Sequence, residues 1–231
     1  MKKTNSLRHG VVALAIAGSV GVFAFAPTAP AFAHNDHGDR KTETREVSTF
    51  TRIQVKGGIE LDLTAGKDQK VTIEAYEGDM RDIKTYVRGD TLVIDLDDDD
   101  DDNNMSFHSE DVNVTISMKM LEELEVLGAV DADLRGIDSK ELTIDIKGAA
   151  DLEAEGTCGS LRLEIKGAGD VDTEELRCED VEVSVRGVGE AKVFASESVD
   201  ANVSGIGSIT VYGEPKRVRQ SDGFLGSIRI K

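Results

Sequence analysis

Four ten-residue phrases decide the fold: LTIDIKGAAD (142–151), LRLEIKGAGD (161–170), VEVSVRGVGE (181–190) and VDANVSGIGS (199–208). A fainter copy, LEVLGAVD (124–131), precedes them. The glycine closing each first half recurs as Gly128, Gly148, Gly167, Gly187 and Gly205, at steps of 20, 19, 20 and 18 residues. Self-similarity at this period marks a solenoid, in which each repeat contacts only its neighbours. Apolar residues alternate within each copy: Leu142, Ile144 and Ile146; Leu161, Leu163 and Ile165; Val181, Val183 and Val185; Ala201 and Val203. A period of two means strand. Past the glycine a second short strand turns Leu152 and Ala154, Val171 and Thr173, Ala191 and Val193, and Ile209 and Val211 inward. One coil buries too little to stand alone, so stacking must supply the core. Short turns force successive coils to run parallel, and parallel crossovers are overwhelmingly right-handed. The expected fold is all-β: a right-handed parallel β-helix (solenoid) with coils of about 18–20 residues. The corner glycines provide positive φ or close backbone approach.

Upstream, period-2 segments continue without the regular repeat. They include Ile53 and Val55; Ile59, Leu61 and Leu63; Val71, Ile73 and Ala75; Ile83 and Val87; Leu92, Ile94 and Leu96; and Val112, Val114 and Ile116. LEELEVL (121–127) runs into Gly-Ala-Val-Asp and reads as strand. No window supports an amphipathic helix. A single β-helix domain is therefore expected over 47–231, with irregular N-terminal coils and an acidic loop at 47–120. Regular repeats follow at 121–214, and a C-terminal cap at 215–231. Terminal coils expose strand edges that invite aggregation, so both ends need guarding. Lys216, Arg217, Arg219, Arg229 and Lys231 make the last segment basic, which fits a charged edge guard or a head-to-tail contact between molecules.

The first residues address the chain rather than fold it. Lys2, Lys3 and Arg8 precede the apolar run 11–26, and Ala31-Phe32-Ala33 follows as a cleavage signal, so 1–33 reads as a secretory signal peptide cut after Ala33. The run is short for a membrane span. No cysteine stands at the cut for lipid attachment. Residues 34–46 (HNDHGDRKTETRE) are polar and aperiodic and read as a flexible leader. Its His34, Asp36, His37 and Asp39 would hold a transition metal only weakly. The expected location is the periplasm, or a secreted or cell-surface one.

The formal charge is −18, and losing Lys2, Lys3 and Arg8 with the signal takes it to −21. Such an excess repels phosphate backbones and anionic lipid, which argues against nucleic acid and membrane-surface partners. It suits cations or basic partners. There is no Trp, with only three Tyr and seven Phe, so sugar-stacking platforms are scarce.

Cys158 and Cys178 are the only cysteines, and each stands three residues before the first aliphatic of its repeat, Leu161 and Val181. Equivalent positions on neighbouring coils lie about 4.8 Å apart, inside the Cα range a disulfide tolerates. A disulfide and two partly buried free thiols are the two readings. The run DLDDDDDDNN (95–104) lies in a stretch, 90–111, with ten acids and no Lys or Arg. One register resembles a calcium loop, with Asp99, Asp101 and Asn103 at positions one, three and five and Glu110 at twelve. Asn104 stands where glycine belongs, and strands rather than helices flank it, so a solvated loop and diffuse cation attraction compete with specific calcium binding. No other cofactor is expected.

In the repeats, Asp131, Asp151, Asp170 and Glu190 share one position and should stack into an acidic column. Lys147, Lys166 and Arg186 form a basic column, and Asp145 and Glu164 another acidic one, whose opposite signs can relieve each other. Catalysis lacks its usual parts. His108 is the only histidine beyond the leader, no His/Cys cluster exists, and GAGD and GVGE follow strands with no helix behind them. No catalytic residue is assigned. Paired carboxylates cleaving or binding polysaccharide, with a cation, are the enzyme alternative; a groove lined by Tyr76, Tyr86 or Tyr212 would favour it. The tight corners leave little room for such a groove.

Several segments in order resemble one family: TFTRIQVKGGIELDLTAG (49–66), KVTIEAY (70–76), TLVIDL (91–96), MLEELEVLGAVD (120–131), the GxGD/E-type repeats, and VYGEP (211–215) with GFLGSIRI (223–230). Together they resemble the exported bacterial auto-transporter adhesin head GIN domain family, a domain of unknown function, over 47–231. The resemblance implies a right-handed β-helix, export to the periplasm or surface, and no established activity. The expectation is an exported non-enzymatic binding or structural module of the cell envelope, adhesin-like, meeting an envelope protein or polysaccharide.

Overall fold

The computed structural model describes residues 39–96 and 112–231. The signal peptide, its cut after Ala33, residues 34–38 of the leader, and the calcium candidates Asp99, Asp101, Asn103 and Glu110 lie outside the described residues.

The chain is an all-β solenoid of about five turns. Its regular part is four long strands that bend around the core: β9 (Ala129–Ile146), β10 (Ala149–Ile165), β11 (Ala168–Val185) and β12 (Val188–Val203). Each pairs in parallel with the next, like residue on like. Leu142, Leu161, Val181 and Val199 form one inward stack, and Ile146, Ile165, Val185 and Val203 another. All eight are buried. The alternation read from the repeats is thus the alternation of the core.

The chain after the repeats continues the coil. β13 (Ile206–Tyr212) pairs with β12, β14 (Arg217–Asp222) with β12, and β15 (Gly226–Ile230) with β13, all in parallel. Val218 extends the Val199 stack and Ile228 extends the Ile209 stack. The segment 215–231, expected as a cap, carries the strands of a further coil.

The N-terminal part departs from parallel stacking. β2 (Arg52–Lys56), β3 (Gly58–Thr64) and β8 (Glu123–Val126) join the solenoid in parallel. β6 (Thr91–Asp95) and β7 (Asn113–Ser117) add parallel to β2 and β3. β5 (Lys84–Arg88) then pairs antiparallel with β6, and β4 (Lys70–Tyr76) antiparallel with β7. Outermost is β1 (Arg40–Arg45), antiparallel to β4. The leader expected to be flexible over 34–46 is therefore a strand from Arg40 to Arg45. It has no apolar alternation, and backbone pairing to the open side of β4 fixes it. Arg40 adds an ion pair of 2.9 Å to Glu74.

The corner glycines act by close approach. None of Gly128, Gly148, Gly167, Gly187 and Gly205 has positive φ. A Cβ on Gly167 would stand 1.8 Å from the carbonyl oxygen of Gly148, and one on Gly187 equally close to that of Gly167. The Gly167 carbonyl accepts the Val188 amide at 3.0 Å, so that oxygen is placed by the ladder. Gly167→Ala should lower stability by about 3 kcal/mol through overpacking against rigid backbone. Gly78→Ala, with φ −61 and open space around it, should leave the thermal midpoint unchanged, and melting both variants checks this.

Cys158 and Cys178 face each other in register and are joined by a disulfide, Cα to Cα 4.5 Å, in a buried column with Ser139 and Ala195. Ser139 Oγ donates to the carbonyl of Leu121 at 2.6 Å, satisfying the polar member of that column. The bridge closes a 20-residue step, worth about 3 kcal/mol in the chain-entropy account. Reductant, or Cys158→Ser with Cys178→Ser, should lower the urea midpoint accordingly. Equal thiol counts before and after reduction would contradict the bridge.

Candidate functional site

Three outer features follow from the register. The first is a ladder of opposite charges beside the glycine corner. Glu125, Asp145 and Glu164 stack in one column, and Lys147, Lys166 and Arg186 stand two residues further on. Each cation bridges two coils or two columns. Lys147 meets Glu125 and Asp145. Lys166 meets Asp145 at 3.3 Å and Glu164 at 2.9 Å. Arg186 lies 2.9 Å from Glu164. Opposed signs thus relieve the like-charge columns.

The ladder shifts its own titrations. The Lys166 hydrogen bond, opposed by burial, holds the Glu164 carboxyl below its ordinary value, and Arg186 adds to this. At Glu125 partial burial pushes upward, but the hydrogen bonds from Lys147 and Gln54 outweigh it and the net shift is down. Lys147 and Lys166 are raised, chiefly by their hydrogen bonds to Glu125 and Glu164.

The second feature is an acidic face on the strands after the corner. Asp131, Asp151, Asp170 and Glu190 lie in one register row, and Asp133, Glu153, Asp172 and Lys192 in the next. Lys192 pairs with Asp172 at 2.7 Å, and Arg135 with Asp62 at 3.4 Å and with Asp133. Among the described residues no group of three or more His, Cys, Asp or Glu is placed to hold a metal ion.

The third is a groove parallel to the solenoid axis, which sequence reasoning did not foresee. Its floor is the aliphatic stack from Leu142 to Val218. One wall is the column Glu141, Ser160, Asp180, Ser198 and Arg217. The other is Thr143, Arg162, Glu182, Asp200 and Arg219. The cavity measures about 690 Å³. A second hollow of about 1000 Å³ shares Glu141 and Thr143 and runs on to Arg52, Glu122 and Glu123. Charges inside are tied together along the columns. Arg162 donates to Glu182, Arg219 to Asp200 at 2.9 Å, and Ser198 to Asp180. Arg52 lies 3.6–3.8 Å from Asp90, Glu122 and Glu123. The signal was present: a polar residue on each side of the first aliphatic in every repeat. Tight corners were expected to leave little room for an active-site groove, and this hollow forms along the side of the stack, not at a corner.

The tyrosines do not line it. Tyr76 lies under Arg40 at 5.5 Å, Tyr86 under Arg88 at 5.7 Å and Tyr212 under Lys231 at 5.0 Å.

The model of the family described as "Putative auto-transporter adhesin, head GIN domain" matches residues 49–215. The chain belongs to this family. Among solved structures, the GIN domain here is similar to a "putative adhesin" from Bacteroides fragilis NCTC 9343, at 24% identity and a TM-score of 0.64, over 84% of this chain and 97% of that one. It is also similar to a "putative adhesin" from Parabacteroides merdae ATCC 43184, at 14% identity and a TM-score of 0.51, over 84% and 97%. Comparison with curated proteins finds no match.

Because the folded values of Glu125 and Glu164 are depressed, the ladder's contribution is complete above the unfolded carboxylate value, 4.5, and is lost as pH falls through the folded values. The thermal midpoint should fall below about pH 4.5. Glu164→Gln should cost under about 1 kcal/mol at neutral pH and flatten the acid limb, as melting across pH will show.

Proposed function

We propose that this chain is an exported, non-enzymatic module of the cell envelope with an adhesin-like binding role, and that the axial groove is its binding surface. The periplasm or the cell surface is its place. The signal pattern over 1–33 supports export, and among the described residues no helix is long and apolar enough to cross a membrane. Membership of the adhesin head family supports a binding role. The observation that carries the reading is the groove itself. An apolar floor runs between two polar walls, on which Arg162 with Glu182, Ser198 with Asp180 and Arg219 with Asp200 pair across successive coils.

Such walls fit an extended, hydroxyl-rich chain, since each sugar hydroxyl both donates and accepts. An envelope polysaccharide is accordingly the partner of first choice. The groove carboxylates Asp180, Glu182 and Asp200 are tied to Arg217, Arg162 and Arg219 along the columns. This suits holding a chain rather than the two carboxylates flanking a scissile bond that glycosidic cleavage uses. Calcium enters only through Asp99, Asp101, Asn103 and Glu110, so the ion is separable from the groove.

Titration calorimetry with purified envelope polysaccharide should show binding that Arg162→Ala with Arg219→Ala weakens by about tenfold, the loss of one charge-assisted hydrogen bond or more. Assays for new sugar ends should stay blank. Binding unchanged by the groove variants, or release of new ends, would overturn the reading. Melting with calcium and with EDTA tests the ion separately, since a bound ion raises the midpoint by mass action.

A further inference from the structure

One outward column of the regular coils is apolar. Ala129, Ala149, Ala168, Val188 and Ile206 stand in register one residue past the glycine corner, all turned to solvent. Val188 and Ile206 are 53% and 54% exposed, so two large aliphatics face water on this ridge. Charge flanks the ridge asymmetrically. Two residues before it stand Lys147, Lys166 and Arg186, and two residues after it stand Asp151, Asp170 and Glu190. At Ile206 both flanks turn neutral together, to Ser204 and Ser208, and at Ala129 they are Leu127 and Asp131. Each base touches a carboxylate of its own molecule but keeps further N–H donors, and the Arg186 side chain stays 56% exposed. The acids have no such partner. The nearby cations Arg135 and Lys192 pair with Asp62, Asp133 and Asp172, so among the described residues Asp151, Asp170 and Glu190 carry no ion pair. Between the ridge and these acids runs a shallow hollow of about 470 Å³, lined by Ala150, Gly169 and Gly189.

We propose that this ridge joins two copies of the chain side by side and pointing the same way, about a two-fold axis parallel to the solenoid axis. Symmetry selects that arrangement. Bases and acids lie at equal distances on opposite sides of the ridge, so a two-fold along the column sets the bases of one copy on the acids of the other. Lys147 meets Asp151 of the second copy, Lys166 meets Asp170 and Arg186 meets Glu190, each pair occurring twice. The alkyl stems of the bases lie in the facing hollow, where Gly169 and Gly189 leave room, and their charged heads reach its acidic rim. Val188 meets Val188 and Ile206 meets Ile206 at the axis.

Other occupants fit less well. Turning one copy end over end sets acids on acids and bases on bases, which like-charge repulsion disfavours. An anionic lipid surface is repelled by the carboxylates along one flank. The face is small. From Ala129 to Ile206 it covers four strand steps, about 19 Å, and from Lys147 to Asp151 four residues, about 13 Å. That falls short of the roughly 800 Å² per partner of a standard interface, so the dimer is of the weak, concentration-dependent kind. None of its residues lines the axial groove, so dimer and groove stand or fall separately.

Sedimentation of the protein as its host processes it, over a concentration series, reads the contact. At an ionic strength of about 0.15 M the screening length of about 8 Å damps repulsion between two acidic chains yet spares pairs in contact. Wild type should pass from monomer to dimer and stop there, because a two-fold contact is closed. Lys147→Glu with Arg186→Glu sets acids on acids and should stay monomeric. Asp151→Lys with Glu190→Lys sets bases on bases and should do the same. Mixed, the two variants restore every pair and should form a dimer with one copy of each. Val188→Ser with Ile206→Ser changes two exposed side chains and breaks no ion pair. It should weaken self-association by about tenfold or more with the thermal midpoint unchanged, and it serves where a charge variant fails to fold. A wild-type monomer at every concentration, a charge variant that dimerises alone, a mixture that stays monomeric, or a serine variant that dimerises as wild type does would each overturn the proposal. So would flotation of a monomer with phosphatidylcholine vesicles, which would give the ridge to lipid.

Discussion

One contact sets the geometry of everything else: the carbonyl of a corner glycine occupies the space where the next glycine's Cβ would stand. At Gly167 that space is 1.8 Å from the Gly148 oxygen. The approach lets the Ala168 amide reach Gly148 O at 2.9 Å and the Val188 amide reach Gly167 O at 3.0 Å. Coils are locked at the corner with no side chain between them. Register is then not a choice, because a slip of one residue would drive a Cβ into backbone and turn the aliphatic stacks outward.

Fixed register is also what makes the outer surface orderly. A residue type repeated in sequence becomes a column in space, and a column of like charge is tolerable only beside one of opposite sign. Lys147, Lys166 and Arg186 satisfy that condition next to Glu125, Asp145 and Glu164. The acidic face satisfies it poorly, with Arg135 and Lys192 against seven acids in its two central rows. The groove lies between: Arg162 and Arg219 on one wall are tied to Glu182 and Asp200, and Arg217 on the other to Asp180, so both signs are present and largely paired. That difference is why the proposal of a hydroxylated chain as ligand rests on the groove and not on the acidic face.

What could be read beforehand follows the same divide. The repeats were legible because Leu142, Leu161, Val181 and Val199 state their own period, and the cysteine pair was legible because it obeys it. The strand Arg40–Arg45 was not, since RKTETR carries no alternation and is held by β4 rather than by its own burial. The antiparallel turns at β4 and β5 were equally hidden: alternation specifies a strand and its buried face but not the direction of its partner. The segment after Pro215 read as a cap because its outward residues are charged, although Val218 and Ile228 keep the core positions. The groove needed two columns and the floor between them at once, a relation across coils that no single repeat displays.

The two ends are solved differently. At the start, reversal of direction places β1 and β5 as short, cationic, antiparallel edges, and Arg40, Lys41 and Arg45 find carboxylates at Glu74 and Glu43 within that layer. In the last described coil, β14 and β15 stay parallel to β12 and β13, and Lys216, Arg217 and Arg219 reach back to Glu197, Asp180 and Asp200. A charged rim deters strands from a like-charged neighbour, yet it attracts one of opposite sign. In a molecule whose acids outnumber its bases 45 to 27, cations concentrated on both outer layers guard the strand edges by charge rather than by covering them.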